Sequence, residues 1–236
     1  DLGERLREAF ERGAGHGLLQ LGAGEVATAL PPVLSYWREL GSLFVTALCT
    51  TPEGEGEAGR AAAPPPPRDE LEALAAAAPP MTGAEYLSAA VLESLWEEMS
   101  AAFENERAGK RLGTQELLRR WSPAWNLVGR VHFNLAENRK DDEAPFAFLA
   151  TYTSRLSAHG KAQHLPLGQA LREYAGEAKK DRLLSLLLPV QRAAETCPWL
   201  RAMVDAGEIF HPLRFTPRDA FQVLGEDLRC MHAGLV

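Results

Sequence analysis

With 236 residues, 46% apolar and 24% charged, the chain has ordinary globular composition and room for one large domain or two small ones. A net charge of −7 excludes a broad basic surface that would bind nucleic acid by phosphate neutralisation alone, but it leaves room for a small basic patch. No run of about 18 uncharged apolar residues occurs, which excludes a membrane-spanning helix, and the charged start DLGERLREAF has no signal-peptide core.

Leu2, Leu6 and Phe10 recur at four-residue spacing and predict a short amphipathic helix over 2–12, broken by Gly13, Gly15 and Gly17. A small apolar piece, LLQLG, follows. In LPPVLSYWREL the prolines suit a helix start, and FVTALCT (44–50), with its β-branched and aromatic residues, reads as a short strand. Residues 52–68, PEGEGEAGRAAAPPPPR, are low in complexity. They cannot bury enough apolar surface to offset their ordering entropy, so they read as a flexible linker or insertion.

The clearest helix comes next. Thr82 and Glu85 have capping-box spacing, and Leu87, Val91, Leu95, Met99 and Phe103 make one apolar stripe. Glu93, Glu97, Glu98, Glu104 and Glu106 read as its solvated face. In WNLVGRVHFNLAEN (125–138) the residues alternate. Trp125, Leu127, Val131, Phe133 and Leu135 lie on one side, and Asn126, Val128, Arg130, His132 and Asn134 on the other. That is a half-buried strand, with PFAFLATYTSRL (145–156) as its antiparallel partner across the charged loop ENRKDDEA. Helices return in LGQALREYAG and in KDRLLSLLLPVQRAAET, the latter ended or kinked near Pro189. Thr216, Pro217 and Asp219 start a last helix, with Phe221, Leu224, Leu228 and Met231 expected to face inward.

The expected class is α+β, mainly helical with a small antiparallel hairpin or sheet. Residues 1–51 form an N-terminal helix and strand segment, 52–68 the linker, and 69–236 a helical body carrying the hairpin near 125–155. The segment 1–51 is expected to join that body in one domain, and the sequence leaves open whether 44–49 pairs with the hairpin.

Catalytic chemistry finds little footing. Gly109-Lys110-Arg111 and Gly160-Lys161-Ala162 lack the Ser or Thr and the upstream Gly of a phosphate-binding loop. His159 and His164 are five apart, His16, His132, His211 and His232 are isolated, and no HExxH occurs, so metal spacing is missing. A Gly-x-Ser-x-Gly elbow is also missing, and the triplet 141–143 sits in one turn. Cys49, Cys197 and Cys230 are far apart and odd in number, which reads as three reduced thiols in a cytoplasmic protein. The polar row remains. Arg130, His132 and Asn134 project together, and Arg155, Lys161 and Gln163 follow the second strand. A wet sheet face is the plain reading, and a contact face for DNA or a protein partner is the functional one.

The wording itself carries one more signal. GHGLLQLGAGEV, LPPVLSYWRE, PAWNLVGRVHFNLAEN, PFAFLATYTSRLS, KAQHLPLGQALREY, LLSLLLPVQRAAE and GEIFHPLRFTP together resemble the N-terminal accessory region of bacterial SWI/SNF-type DEAD/DEAH-box helicases. The resemblance runs through nearly the whole chain apart from 52–68. In that family the ATPase motor lies C-terminal to this region, and the absence of an initiator Met here reads as a piece of such a longer protein.

The resemblance implies a parent that uses ATP and Mg to translocate on DNA or remodel protein–DNA complexes. This fragment would have no cofactor and no catalytic residues of its own. Its expected partner is its own C-terminal motor, with no membrane partner, and Arg130, His132, Asn134, Arg155 and Lys161 are the candidate contacts to the motor or DNA. The alternative is a direct nucleic-acid-binding module, which would need Arg130, Arg155 and Lys161 on one surface, with Lys179, Lys180 and Arg182 as optional further members. A hydrolase around His132, His159 or His164 is the remaining reading; it lacks a nucleophile or metal partner.

Overall fold

A computed structural model describes residues 2–50, 63–157, 159–175 and 180–230, without the side chains of 180–185, 189 and 225–230. The chain is mainly helical with a four-stranded sheet, as the composition of its elements implied. It divides into two compact units. The first comprises 1–128 with 156–162, and the second 129–155 with 163–236. No described helix is long and apolar enough to cross a membrane.

The first unit is helical: α1 (Leu2–Glu11), α2 (Ala14–Leu19), a π turn (Gln20–Gly24), α3 (Pro32–Thr50), α4 (Arg68–Ala76), α5 (Ala89–Lys110) and α6 (Thr114–Trp121). Gly13 alone breaks the chain between α1 and α2, at a φ of 131° that other residues rarely adopt. Gly15 and Gly17 lie inside α2 and serve packing instead. A Cβ on Gly15 would stand 2.3 Å from the Glu98 carbonyl oxygen, so α2 crosses α5 at backbone contact.

The strand expected at 44–50 is helix. Tyr36, Leu40, Phe44 and Leu48 recur every four residues and are all buried in α3. The β-branched Val45 and Thr46 disfavour a helix by only a few tenths of a kcal/mol each. Burying Phe44, Val45 and Leu48 is worth about 1.5–3 kcal/mol apiece, so packing overrides local preference. Phe44 meets Trp96 and Phe103 of α5 edge-on, with ring centroids 5.2 and 6.4 Å apart. With 44–49 helical, that segment does not extend the hairpin sheet.

The start of α5 also differs from expectation. Thr82 and Glu85 do not cap it, since Ala84–Tyr86 form a separate 3-10 turn, and Ser88 is the N-cap, its Oγ accepting from the Val91 N–H at 3.4 Å. The buried side is consequently rotated to Leu92, Trp96, Met99 and Phe103, and Val91 is exposed. Much of the low-complexity stretch expected at 52–68, through residue 62, lies outside the described residues. Its end is ordered against α5, where the Trp96 Nε1 donates to the Ala63 carbonyl at 2.8 Å.

Glu25 is the buried charge of this unit. Its Oε1 accepts from Arg5 Nη2 at 2.8 Å and from Gln20 Nε2 at 3.3 Å, and its Oε2 accepts from Thr28 Oγ1 at 2.8 Å. Burial pushes the carboxyl up, but the hydrogen bonds from Arg5 and Thr28 and the Arg5 charge outweigh it, so its pKa lies below the ordinary value. A depressed folded pKa gives stability that is full above the ordinary carboxylate range and lost as pH falls through the folded value. Glu25→Gln should therefore cost about 1–3 kcal/mol at neutral pH, and urea titrations at descending pH should show a shallower acid loss than in the parent. An unchanged acid limb would mean that the Arg5 contact is not made in solution.

The second unit is built on β1 (Val131–Glu137), β2 (Phe146–Leu156), β3 (Ala162–Pro166) and β4 (Leu213–Phe215). β1 pairs β2 antiparallel with Val131 opposite Tyr152, Phe133 opposite Ala150 and Leu135 opposite Phe148, which is the hairpin expected from the alternation. β3 and β4 also pair with β2, β4 through Phe146 opposite Phe215. The strand begins later than the alternation suggested, because Pro123–Leu127 form a 3-10 turn.

One face of this sheet buries Val131, Phe148, Ala150, Tyr152 and Phe215 with α7 (Leu167–Tyr174), α8 (Lys180–Thr196) and α9 (Pro198–Asp205). α8 is not ended at Pro189, since it continues as one helix to Thr196. α10 (Pro217–Cys230) starts from a reciprocal cap: Thr216 Oγ1 accepts from the Asp219 N–H, and an Asp219 carboxylate oxygen accepts from the Thr216 N–H at 3.0 Å. Its inward residues are Ala220 and Val223, whereas Phe221 and Leu224, expected inside, are 78% and 58% exposed. The Leu228 side chain and Met231 lie outside the described residues. The expectation of three reduced thiols holds for Cys49 and is corrected at Cys197, which is buried at the start of α9 and disulfide-bonded.

Candidate functional site: the polar face of the sheet

Because β1 and β2 pair in register, the second face of the sheet collects the residues that alternate with the core. His132 lies opposite Thr151, Asn134 opposite Leu149, and the Arg130 carbonyl accepts from the Thr153 N–H at 3.0 Å. The polar row singled out from the sequence is thus a physical row. Most of it is occupied by the fold itself.

The Asn134 side-chain amide donates to Thr151 Oγ1 at 2.9 Å and to the Leu149 carbonyl at 3.2 Å, tying β1 to β2 by side chain as well as backbone. His132 and His164 meet edge to face, with centroids 5.4 Å apart and planes at 90°. The Nδ1 of His164 lies 2.9 Å from Thr153 Oγ1, so this hydroxyl, wholly buried, has its partner on β3. His164 is the member of the row that the alternation alone does not reveal, since β3 reaches it only through sheet pairing. Thr151 is buried as well, so this face is not simply wetted.

The remaining candidates differ in kind. Arg130 is half-buried, and Arg155 is exposed, its Nε donating to Gln163 Oε1 at 2.8 Å. Lys161 belongs to the first unit, in the turn where the Ser157 N–H donates to the Lys161 carbonyl at 2.8 Å. The structure therefore brings Arg130, His132, Asn134 and Arg155 onto one sheet and leaves Lys161 in a separate unit. Lys179 and the side chains of Lys180 and Arg182, the optional members of an extended basic surface, lie outside the described residues.

Among the described residues no three His, Cys, Asp or Glu side chains converge as metal ligands. His159 is exposed in the first unit, its N–H donating to Ser157 Oγ at 3.3 Å. A two-histidine, two-threonine cluster with an amide can hold strands together. Its Thr153–His164 pair keeps the hydroxyl wholly buried, and the cluster holds no carboxylate pair.

Two surfaces escaped the sequence reading. One is the exposed pair Phe221 and Leu224 on α10, which follow Pro217 at four- and three-residue steps and so share one side of the helix. The signal was present in the sequence, but apolar residues at 220, 221, 223 and 224 form one contiguous arc of about 160°, and the pattern did not say which part of it would be covered. The other is a cleft between α3 and α4 whose rim holds Glu39 and Glu70. No protein family, no curated protein and no solved structure matches the chain.

Proposed function

We propose that the chain is a non-catalytic accessory module of a SWI/SNF-like ATP-dependent DNA helicase or translocase, and that it docks on or gates the motor of that protein. ATP and Mg belong to the motor in this reading, and no cofactor to the module. The wording shared with that family supports the identity of the parent. The observation that carries docking is the stripe of Phe221 and Leu224, two large apolar side chains on one helix side facing solvent. Large apolar groups presented together are a common mark of protein contact. The net charge of −7 points the same way, because an acidic module is repelled by DNA phosphates and attracted to a basic DNA channel. The reading carries a cytoplasmic location with it; the disulfide at Cys197 speaks against that location, because such bonds are rare where a thiol pool is reducing.

Direct nucleic-acid binding is the second reading. It is favoured by Arg155, which is exposed and hydrogen-bonded to the neutral Gln163 amide rather than to a carboxylate. A single experiment separates the two. The chain is titrated against the separately prepared motor region of its parent and against labelled single- and double-stranded DNA, at low and near-physiological salt. Docking predicts motor binding that weakens about tenfold or more in Phe221→Asp/Leu224→Asp, the scale of losing two apolar anchors. DNA binding that is lost in Arg155→Ala, with no grip on the motor, would replace docking by the second reading.

A further inference from the structure

The first unit contains a cleft of about 280 Å³ lined by Glu39 and Leu43 of α3, by Pro66, and by Glu70, Leu71 and Leu74 of α4. Its volume decides what it can take. At about 280 Å³ it lies at the small end of the range for small-molecule sites, about 300 to 1,000 Å³, and has room for one long side chain. Its floor is apolar and its rim is acidic.

Glu39 and Glu70 are both exposed, and neither forms an ion pair among the described residues. Arg68, the basic residue that opens α4, is taken up by Glu72 at 3.0 Å. The Tyr36 hydroxyl donates to the Leu74 carbonyl at 3.1 Å and braces α3 on α4 beside the cleft. Burial, and after it the Glu39 carboxylate, hold this phenol above its ordinary pKa.

We propose that the cleft receives the Arg or Lys side chain of a partner protein, its aliphatic stem on Leu43, Leu71 and Leu74 and its cation between Glu39 and Glu70. Charge complementarity selects this occupant. A long basic side chain covers apolar surface with its methylenes while its head stays with the carboxylates and water. An anionic or purely apolar side chain would leave both carboxylates uncompensated. The cleft is built from residues of the first unit and the stripe from residues of the second, so the proposal stands whether or not that stripe grips a motor.

The test uses the whole chain, isotope-labelled, and two probes of one shape: N-acetylarginine amide and its neutral isostere N-acetylcitrulline amide. The arginine probe should give saturable NMR shifts at the amides of Leu43, Leu71 and Leu74, and should bind about fivefold more weakly to Glu39→Gln/Glu70→Gln, the scale of exposed charge pairs. Both substitutions lie at the exposed rim and keep side-chain size, and a matching thermal melt verifies the fold. Equal shifts from the citrulline probe, undiminished binding by the double variant, or no saturable shift would each overturn the proposal.

Discussion

Replacing Gly41 by Ala should destabilise the first unit by about 2–3 kcal/mol, the usual penalty of forcing one carbon into a filled crossing. The site has no room. A Cβ on Gly41 would stand 2.3 Å from the Leu18 carbonyl oxygen, and one on Gly22 would stand 2.2 Å from the Gly41 carbonyl carbon. Both obstacles are backbone, so a side-chain rotation cannot relieve them, and α3 would have to move off α2 and the π turn. Leu40, Phe44 and Leu18 would lose contact together as it moved. Urea unfolding measures the cost, and Gly109→Ala supplies the opposite sign. Nothing lies within 4 Å of a Cβ there, inside α5. That substitution should stabilise by about 0.5–1 kcal/mol through helix preference alone. If both variants shifted stability by the same small amount, the close helix crossing would be wrong.

Phe148→Ala should cost the second unit about 3–5 kcal/mol, the range for removing a buried phenylalanine. Phe148 is the hub of the sheet's inner face. It stacks on Phe215 at 5.1 Å and on Phe133 at 5.8 Å, and meets Trp199 of α9 edge-on at 6.1 Å. Its ring therefore joins three strands to a helix, and truncation leaves a cavity that the paired strands cannot close without losing register. Phe148→Leu, which keeps most of the volume, should recover more than half of the loss. Chemical denaturation of the two variants checks both figures. A loss under about 1 kcal/mol for Ala would mean that the aromatic stack does not hold the sheet to α9.

Part of this architecture was legible because its physics is local. The hairpin followed from strict alternation, since a period of two leaves one solution for which side chains share a face. Val131, Phe148, Ala150 and Tyr152 are buried together for that reason. The helix α1 followed from its apolar spacing and the start of α10 from its Thr216–Asp219 cap, although the side of α10 assigned to the core was the wrong one. The segment 44–50 misled because β-branched residues speak locally for a strand, while the four-residue recurrence from Tyr36 to Leu48 speaks over a longer range for a helix. The longer signal won because burial outweighs propensity.

The candidate site divides in the same way. Alternation was enough to put Arg130, His132 and Asn134 in one row. Their use depended on partners distant in the chain: Thr151 for the Asn134 amide, and Thr153 and His164 across the sheet. The sequence by itself determined the class of the chain, its hairpin, its acidic balance and the content of that row. Tertiary structure decided which sides of α5 and α10 are covered, where α3 meets α2, and that Glu39 and Glu70 share one cleft. Periodicity states which residues travel together on an element. Only the neighbour that packs against the element decides which of them leave water.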